Sequence, residues 1–350
     1  MSLPEIPHVK LGDSGLSVSR VIAGCMSYGD KSWAQWVLED EEKVMTILKK
    51  CYDVGIRTFD TADIYSNGKS EILLGKFLKK YNIKRDRVVI LTKLFNPVND
   101  QDYSFRLQKS GLPDYEYINS KGLSRKHVFD AVQDSVRRLG TYIDVLQIHR
   151  LDRTTPKHEI MKALNDVILA GHTRYIGSSS MKAVEFAQLQ FIADKNGWFK
   201  FISMQNYYNL LYREEEREMN AFCDDNIFGK VGLIPWSPIA MGVLARPLNT
   251  ESQNNRNAKT ESGITHLHLG GLSGNDAEIV NRVEKLAKKH GVSMVIISTA
   301  WVISKGTCPI VGLNSIERVE EIVQATHFKL TPEEIEYLEE PYEPKNYSIF

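Results

Sequence analysis

Four residues whose side chains can hold or transfer a proton stand at or just beyond the ends of short β-prone runs. Asp60 ends the run T-F-D, and Tyr65 follows it in the turn-rich segment I-Y-S-N-G. Lys93 ends V-V-I-L-T-K, and His149 ends I-D-V-L-Q-I-H. A free phenol has a pKa of about 10, and a nearby ammonium lowers that pKa because it favours the phenolate. A carboxylate can hold the lysine charged, and a histidine can donate a hydrogen bond to a carbonyl oxygen. The set predicts proton transfer to a carbonyl with Tyr65 as the general acid.

The elements that would carry these residues alternate along the chain. Short runs rich in β-branched residues predict strands, and the longer stretches between them have the spacing of amphipathic helices. The predicted strands are Val21–Met26, Thr58–Ala62, Val88–Lys93, Ile143–His149, Tyr175–Ser179, Phe201–Asn206, Gly232–Ser237 and Pro309–Leu313. The predicted helices are Asp40–Val54, Ser70–Tyr81, Ser124–Leu139, Pro156–Ala170, Ala183–Asn196, Glu214–Asp225, Ala277–His290, Met294–Ser304 and Ser315–Ala325.

Eight such strand–helix units predict an α/β fold, a single (β/α)8 TIM barrel in which residues 1–350 form one domain. The opening H-V-K-L-G-D-S-G-L-S-V-S predicts a β-hairpin that caps the bottom of the barrel. A doubly wound sheet is the alternative, but V-I-A-G-C-M-S-Y-G after the first strand does not match the G-x-G-x-x-G of dinucleotide-binding sheets. In a barrel the carboxyl ends of adjacent strands open on one face, where Asp60, Lys93 and His149 would meet.

Two connections are longer than a barrel needs, and both follow strand ends on the face of the predicted site. They are Phe95–Gly122, after the third strand, and Ala245–Asn275, after the seventh. Loops of this length are usually functional or disordered. We interpret both as lids, with a disordered insertion as the alternative for the second. Aromatic residues on the loops after strands one and three predict an apolar pocket with aromatic walls, or else parts of the lid itself: Tyr28, Trp33, Trp36 and Phe95.

The composition is that of an ordinary globular protein, and it disfavours several classes of partner. Lys and Arg number 44, as do Asp and Glu, so neither nucleic acid nor an anionic membrane is expected as a partner. The first residues lack the pattern of a secretory signal, and the longest apolar run is too short for a bilayer. Four cysteines without C-x-x-C spacing predict reduced thiols in a cytoplasmic protein. No H-E-x-x-H or Cys/His spacing occurs, so no metal site is expected.

The segment G-I-R-T-F-D-T-A-D-I-Y-S-N-G-K-S-E, at Gly55–Glu71, resembles the catalytic signature of the aldo-keto reductases. The resemblance extends from about residue 9 to about residue 325. It implies a (β/α)8 barrel that reduces carbonyl compounds with NADPH and needs no metal. It also implies that Asp60, Tyr65, Lys93 and His149 are the catalytic residues.

The resemblance further implies the residues that bind the cofactor. In R-Y-I-G-S-S-S, Ser179 matches the family serine, and Ser180 stands where the family usually has an asparagine that binds the nicotinamide amide. Gln205 matches a glutamine that binds the same amide, and Trp236 stands where an aromatic ring stacks on the nicotinamide. The remaining candidates are Ser237, Pro238 and Gly242 in the segment W-S-P-I-A-M-G, Arg246 beyond it, and Gly312, Ser315, Arg318 and Glu321 around the adenosine phosphate.

Two other functions remain open on the sequence. A Schiff-base aldolase would explain a lysine at a strand end, but it leaves Asp60 and Tyr65 without a role. A redox-sensing regulatory subunit would keep the cofactor site, and an intact set of catalytic residues argues for turnover instead. The sequence does not distinguish among aryl aldehydes, ketones and keto esters as substrates of the predicted site. It also predicts no oligomeric state.

Overall fold

The computed structural model describes residues 4–107, 111–248, 272 and 274–347, and within them eight parallel strands form one sheet. A separate two-stranded sheet precedes them, made of β1 (His8–Lys10) and β2 (Ser17–Ser19). The eight parallel strands are β3 (Ile22–Gly24), β4 (Thr58–Asp60), β5 (Val89–Leu94), β6 (Ile143–Ile148), β7 (Thr173–Ser179), β8 (Phe201–Gln205), β9 (Gly232–Leu233) and β10 (Ile310–Gly312).

The parallel sheet closes into a barrel. Its strand order is β10, then β3 to β9 in sequence. The two ends of this order meet through backbone hydrogen bonds from Cys308 N to Leu233 O, at 2.9 Å, and from Ile310 N to Pro235 O, at 2.8 Å. The predicted (β/α)8 barrel is therefore confirmed, and the alternative of an open doubly wound sheet is not what the chain forms.

The seventh parallel strand, β9, is much shorter than predicted. It was expected to span Gly232–Ser237, but Pro235 has no N–H to donate to a ladder. Two bonds still hold the following segment against the chain of β8, from Ile234 N to Met204 O and from Trp236 N to Asn206 O, each at 2.9 Å. Trp236 is thereby fixed at the carboxyl end of the barrel.

The helices surround the barrel largely as predicted. Capping sets their first residues, as where Ser124 and Ser315 accept from the backbone N–H groups of the third helical residue. None of the described helices combines the length and the apolar character needed to cross a membrane. The described helices are Glu41–Asp53, Lys69–Lys80, Arg125–Leu139, Lys157–Leu169, Ala183–Lys195, Met219–Asp224, Gly274–His290, Met294–Ser304, Ile316–His327 and Pro332–Glu339.

Two of these helices differ from the prediction. The expected helix Glu214–Asp225 is split into a 3-10 turn, Glu214–Glu216, and the short helix Met219–Asp224. The acidic side chains at its start bond outside the helix, since Glu214 Oε1 accepts from Tyr342 Oη at 2.7 Å. The helix Pro332–Glu339 was not predicted, although Thr331 begins it with a capping box.

The predicted N-terminal hairpin is present and covers the bottom of the barrel. Its turn lies against the segment before β9, where Asp13 N donates to Lys230 O at 2.9 Å. A shared apolar cluster fills the barrel end beneath the hairpin, and its buried members are Leu11, Val18, Ile22, Leu91, Val145, Ile234, Cys308 and Ile310. The hairpin therefore closes the face opposite the predicted site.

The two long connections can be followed to different extents. The loop after β5 contains a 3-10 turn, Asp114–Glu116, and its described residues pass close to the turn after β4. The connection Ala245–Asn275 lies mostly outside the described residues, so its interpretation as a lid stays a prediction.

Candidate active site

The turn that carries Tyr65 has an unusual backbone. The next residues, Ser66, Asn67 and Gly68, are all left-handed, with φ of 49°, 48° and 92°. Asparagine and glycine adopt this conformation most easily. Asn67 Nδ2 also donates to two carbonyl oxygens of the loop after β5, at 3.0 Å each. The S-N-G sequence therefore returns the chain sharply from β4 into the helix Lys69–Lys80 and fixes Tyr65 at the mouth of the barrel.

Lys93 joins two of the other predicted residues, Asp60 and Tyr65, in the interior of this face. Its side chain is fully buried. The ammonium Nζ donates to Asp60 Oδ2 at 2.6 Å, to Thr61 O at 2.8 Å and to Tyr65 Oη at 3.3 Å. An ammonium has three donors and no acceptor, so these contacts use its full hydrogen-bonding capacity.

Asp60 is held from its other side by two glutamines. Its Oδ1 accepts from Gln147 Nε2 and from Gln205 Nε2, each at 3.0 Å, and Gln205 Nε2 also lies 2.8 Å from Gln147 Oε1. The sequence predicted Gln205 as a nicotinamide contact and missed Gln147 altogether. The available signal was a polar residue in the otherwise buried strand β6, because a buried polar side chain needs partners.

The protonation of this group differs from the prediction at one residue. Burial raises the pKa of Tyr65 above its usual range, and the Lys93 ammonium only partly opposes that shift. A lowered pKa was expected, but Tyr65 is only 9% exposed, so the cost of desolvating a phenolate exceeds the attraction of one cation. For Lys93, burial lowers the pKa, but the Asp60 carboxylate more than compensates and raises it above its usual range. The phenol is therefore neutral and the lysine charged at neutral pH.

His149 lies against the phenol. The two rings meet edge to face, with their centroids 5.9 Å apart and their planes at 84°. Burial, with the cations Arg150 and Lys93, holds the pKa of His149 well below its usual range. Its Nδ1 is buried and has no hydrogen-bond partner among the described residues. A neutral imidazole keeps one N–H donor, which is the form needed to orient a carbonyl oxygen.

Not all of the aromatic residues that were predicted for the pocket lie near Tyr65. Trp33 stands edge-on to Tyr65, with centroids 6.2 Å apart, and Trp36 packs against Trp33 at 5.7 Å. Phe95 is partly buried beside the core. Tyr28 differs from its prediction as a pocket wall, because it is 1% exposed and its hydroxyl donates to the carbonyl of Leu313. It is a core residue that ties the loop after β3 to the end of β10.

A known protein family matches the chain over almost its entire length. Residues 20–343 match the Aldo/keto reductase family. The chain belongs to that family. Its enzymes use a nicotinamide cofactor, NADH or NADPH, to interconvert carbonyl compounds and alcohols, and the TIM-barrel fold described above is consistent with that membership.

Similar proteins of the family occur in several fungi. AAD16 of Saccharomyces cerevisiae, named for aryl-alcohol dehydrogenase activity, is 54% identical over 343 residues, which are 97% of this chain and 98% of AAD16. The versiconal hemiacetal acetate reductase of Aspergillus parasiticus is 55% identical over 340 residues, 97% of each chain. The aldo-keto reductase dtxS3 of Metarhizium robertsii is 46% identical over 352 residues, 99% of this chain and 93% of its own.

The residues predicted to hold the nicotinamide end lie together at the ends of β7, β8 and β9. Ser179 Oγ donates to Gln205 O at 2.7 Å. Ser180 has a left-handed φ of 42°, and its N–H donates to Asn206 Oδ1 at 3.1 Å. Trp236 stacks on Tyr207 at a tilt of 34°, with the ring centroids 4.7 Å apart.

Asn206 is a second residue that sequence reasoning missed. It bridges two elements, since its Oδ1 accepts from Ser180 N while its Nδ2 donates to Glu215 Oε2 at 2.7 Å. Burial, and the neighbouring Glu214 carboxylate, raise the pKa of Glu215 to about 8. The signal available in the sequence was the position of Asn206, directly after Gln205 at the end of a predicted barrel strand.

The segment after Trp236 has a strained backbone. Ser237, Ala240 and Met241 have φ of 53°, 47° and 54°, and Gly242 has φ of 99°. A left-handed conformation costs free energy in residues other than glycine and asparagine, and such residues are common in ligand-binding loops. The predicted cofactor residues Ser237 and Gly242 lie in this segment, and Pro238 between them is buried. Arg246 follows in an extended conformation and is half-buried.

The residues predicted to hold the adenosine phosphate suit an anion. A Cβ placed on Gly312 would meet no atom within 4 Å, so the backbone there faces open space. Ser315 caps the helix Ile316–His327, whose first N–H groups carry a partial positive charge. The guanidinium of Arg318 makes no ion pair or side-chain hydrogen bond within the part of the chain that the structure describes, and Glu321 is half-buried one turn further on. These residues fit the phosphate-bearing end of a nicotinamide cofactor.

Proposed function

We propose that the chain is an NADPH-dependent carbonyl reductase that converts aldehydes or ketones to alcohols. The observation that carries the proposal is the position of Lys93 Nζ, buried between Asp60 Oδ2 at 2.6 Å and Tyr65 Oη at 3.3 Å. A structural ion pair would not require a phenol at the mouth of the barrel. A proton donor whose conjugate base needs a fixed cation does require this arrangement.

Each residue then has one task in the reduction. A nicotinamide cofactor, when bound, would supply the hydride for the carbonyl carbon. Tyr65 Oη gives its proton to the carbonyl oxygen, and the Lys93 ammonium stabilises the phenolate that is left. Asp60 keeps Lys93 charged and in place, and His149 donates a hydrogen bond that orients the carbonyl. Trp33 shields the phenol from water, which strengthens these electrostatic interactions.

Two observations support the finer assignments of cofactor and substrate. Arg318 lies one turn into a helix and has no ionic partner among the described residues. A 2′-phosphate there would meet a planar guanidinium, and this favours NADPH over NADH. Trp33 and Trp36 form an aromatic wall next to Tyr65. With a relative named for aryl-alcohol dehydrogenase activity, this wall supports aryl aldehydes, ketones or keto esters as the substrate class.

The other two functions have less support. A Schiff-base lysine must be neutral to attack a carbonyl, whereas Lys93 is charged and all its donors are occupied. Borohydride trapping in the presence of substrate would reveal such an intermediate. A redox sensor would bind the cofactor tightly and turn over slowly, and no single contact in the site favours it over an enzyme.

A panel of carbonyl compounds, assayed with NADPH and NADH in parallel, tests the proposal. We expect NADPH consumption with aryl aldehydes and a lower rate with NADH at equal concentration. The Tyr65→Phe variant is the control for background oxidation. Tight NADPH binding without NADPH consumption over the whole panel would reject the reductase and favour the redox sensor.

A further inference from the structure

The residue directly after His149 is a cation that has no acidic partner among the described residues. Arg150 stands at the carboxyl end of β6, and its Nη1 donates to His149 O at 2.5 Å. Burial lowers the pKa of the Arg150 guanidinium, and the neighbouring Tyr65 opposes that shift. Tyr65 is thus an electrostatic neighbour, and no carboxylate of the described segments compensates for the burial.

The nearest acid along the chain is used elsewhere. Asp152 Oδ2 accepts from Leu123 N at 2.9 Å and from Thr155 Oγ1 at 2.6 Å, and its Oδ1 accepts from Thr154 Oγ1 at 2.6 Å. No ion pair to Arg150 exists within the residues that the structure describes. A guanidinium has five N–H donors. Arg150 is partly buried, and removing a cation from water without an anion beside it is costly. Most of its donors remain available to a ligand.

A second guanidinium lies on the aromatic wall next to Tyr65. Arg106, on the loop after β5, lies over the ring of Trp33 with its Cζ 4.7 Å from the centroid. Its hydrogen bonds go to backbone carbonyls, including that of Trp33, and it has no acidic partner in the described part of the loop. With Lys93 neutralised by Asp60, Arg150 near Tyr65 and Arg106 over Trp33 are two cations for which the described residues supply no acidic partner. Such a pocket attracts anions.

We propose that Arg150 is an anion-binding subsite beside Tyr65, and that it selects carbonyl substrates bearing a carboxylate, such as aromatic aldehyde or keto acids. The planar guanidinium matches a carboxylate bidentately, and the aromatic wall of Trp33 accommodates the ring between the two groups. This inference rests on the proposed carbonyl reduction and names its substrate class.

A matched pair of substrates tests the subsite. 4-Carboxybenzaldehyde and methyl 4-formylbenzoate differ by one charge and share the aldehyde. We expect Arg150→Met to lower the ratio of their kcat/KM values, acid over ester, by roughly ten- to hundredfold, the range of one charge-assisted hydrogen bond. Arg150→Lys, which keeps the charge and loses the planar fork, should lie between Arg150→Met and the wild type.

Arg153→Met is the matched control. Arg153 lies three residues further on and is paired with Glu185 on the surface at 2.7 Å, so its removal should leave the ratio unchanged. A ratio that stays within twofold of wild type in Arg150→Met overturns the subsite. Equal losses for acid and ester also overturn it, since Arg150 would then act only through His149 or Tyr65.

A binding measurement separates this inference from the proposed function. Calorimetric titration of 4-(hydroxymethyl)benzoate and its methyl ester into the NADPH-saturated protein does not depend on turnover, because neither alcohol can be reduced further. We expect tighter binding of the acid in the wild type, and loss of that difference in Arg150→Met. Equal affinities of the wild type for both compounds overturn the subsite. A difference in affinity without reduction of either aldehyde keeps the subsite and rejects the reductase.

Discussion

At the scale of single residues, the site depends on charges that are buried yet compensated. Lys93 is fully enclosed, and its ammonium is tolerated because Asp60 and two further oxygens accept hydrogen bonds from it. Asp60 is in turn satisfied by Gln147 and Gln205. Removal of one partner from a buried pair leaves an uncompensated charge, at a cost of about 3–5 kcal/mol. The chemistry is therefore best tested at Tyr65, which can change without such a cost.

Tyr65→Phe should remove the proton donor and keep the ring. We expect kcat to fall by at least about a hundredfold, the lower range for general acid catalysis, with cofactor affinity nearly intact. Steady-state rates and NADPH fluorescence titration measure the two effects. Tyr115→Phe, on the loop after β5 and 73% exposed, loses the same hydroxyl and is the control. Near-normal turnover of Tyr65→Phe would reject its role.

Arg318→Ala should separate the two cofactors. A guanidinium–phosphate contact contributes about 1.5–3 kcal/mol, so NADPH should bind roughly ten- to hundredfold more weakly and NADH almost as before. Dissociation constants from fluorescence titration give both values. Lys50→Ala is the control, because Lys50 pairs at 2.6 Å with Glu320, which lies on the same helix as Arg318. Equal losses for NADPH and NADH would assign Arg318 to the fold or to the adenine.

At the scale of elements, the segment after β8 is organised by acids that bond away from their own helix. Glu214 accepts from Tyr342 and from Lys345 N near the C-terminus, at 2.7 and 2.8 Å. Glu215 accepts from Asn206, which also holds the backbone of Ser180. This segment therefore connects the end of β7 to the C-terminal residues. Its acids make the free energy of unfolding depend on pH.

Glu215→Gln should change how stability depends on pH. The folded state keeps the Glu215 proton up to a pKa of about 8, whereas the unfolded state releases it near 4.5. Folding therefore takes up a proton between these values, and the free energy of unfolding falls as the pH rises through them. Since one unit of pKa shift corresponds to about 1.4 kcal/mol, the variant should be more stable than wild type by a few kcal/mol at pH above about 8.

Urea denaturation of both proteins at several pH values measures this difference. The two curves should converge toward pH 4.5 and separate as the pH rises, because a glutamine has no proton to lose. Glu218→Gln, at an exposed position in the same segment, is the control and should follow the wild type. Parallel curves for Glu215→Gln and wild type would contradict the buried neutral acid.

At the scale of the whole molecule, the barrel separates its two ends by task. The carboxyl ends of the strands carry the site, and the N-terminal hairpin seals the opposite end over a shared apolar cluster. The seal depends on a close approach at Gly12, where a Cβ would lie 2.3 Å from Lys230 O and 2.8 Å from Gly232 N. Only glycine fits there, and its φ of 58° suits glycine as well.

Gly12→Ala should therefore destabilise the fold more than an alanine at another left-handed glycine. Gly140, with φ of 69° and nothing within 4 Å of a Cβ, is the matched control. Both variants carry the backbone strain, and only Gly12→Ala adds overpacking, which costs about 1–3 kcal/mol. The difference between their free energies of unfolding in urea measures this contact. Equal losses would mean that the hairpin shifts without cost.

The sequence by itself determined the order of the elements and the positions of the candidate catalytic residues. Alternating strand and helix patterns depend on local periodicity, and that periodicity survives in the fold because each strand and helix buries one consistent set of side chains. The ends of β4, β5 and β6 fall within a residue or two of the predictions, so Asp60, Lys93 and His149 meet where expected. The spacing from Asp60 to Tyr65 is likewise local.

Only the tertiary structure decided how these residues are solvated and paired. Gln205 reaches Asp60 across 145 positions of the chain, and Tyr28 turns into the core. Arg150 has no acidic partner in the part of the chain that the structure describes. The periodicity of the sequence does not predict any of these contacts, because they depend on which segments meet after the barrel closes. The direction of the Tyr65 pKa depends on the balance of burial against one ammonium. That balance is a property of the assembled site, since desolvation is set by every neighbour at once.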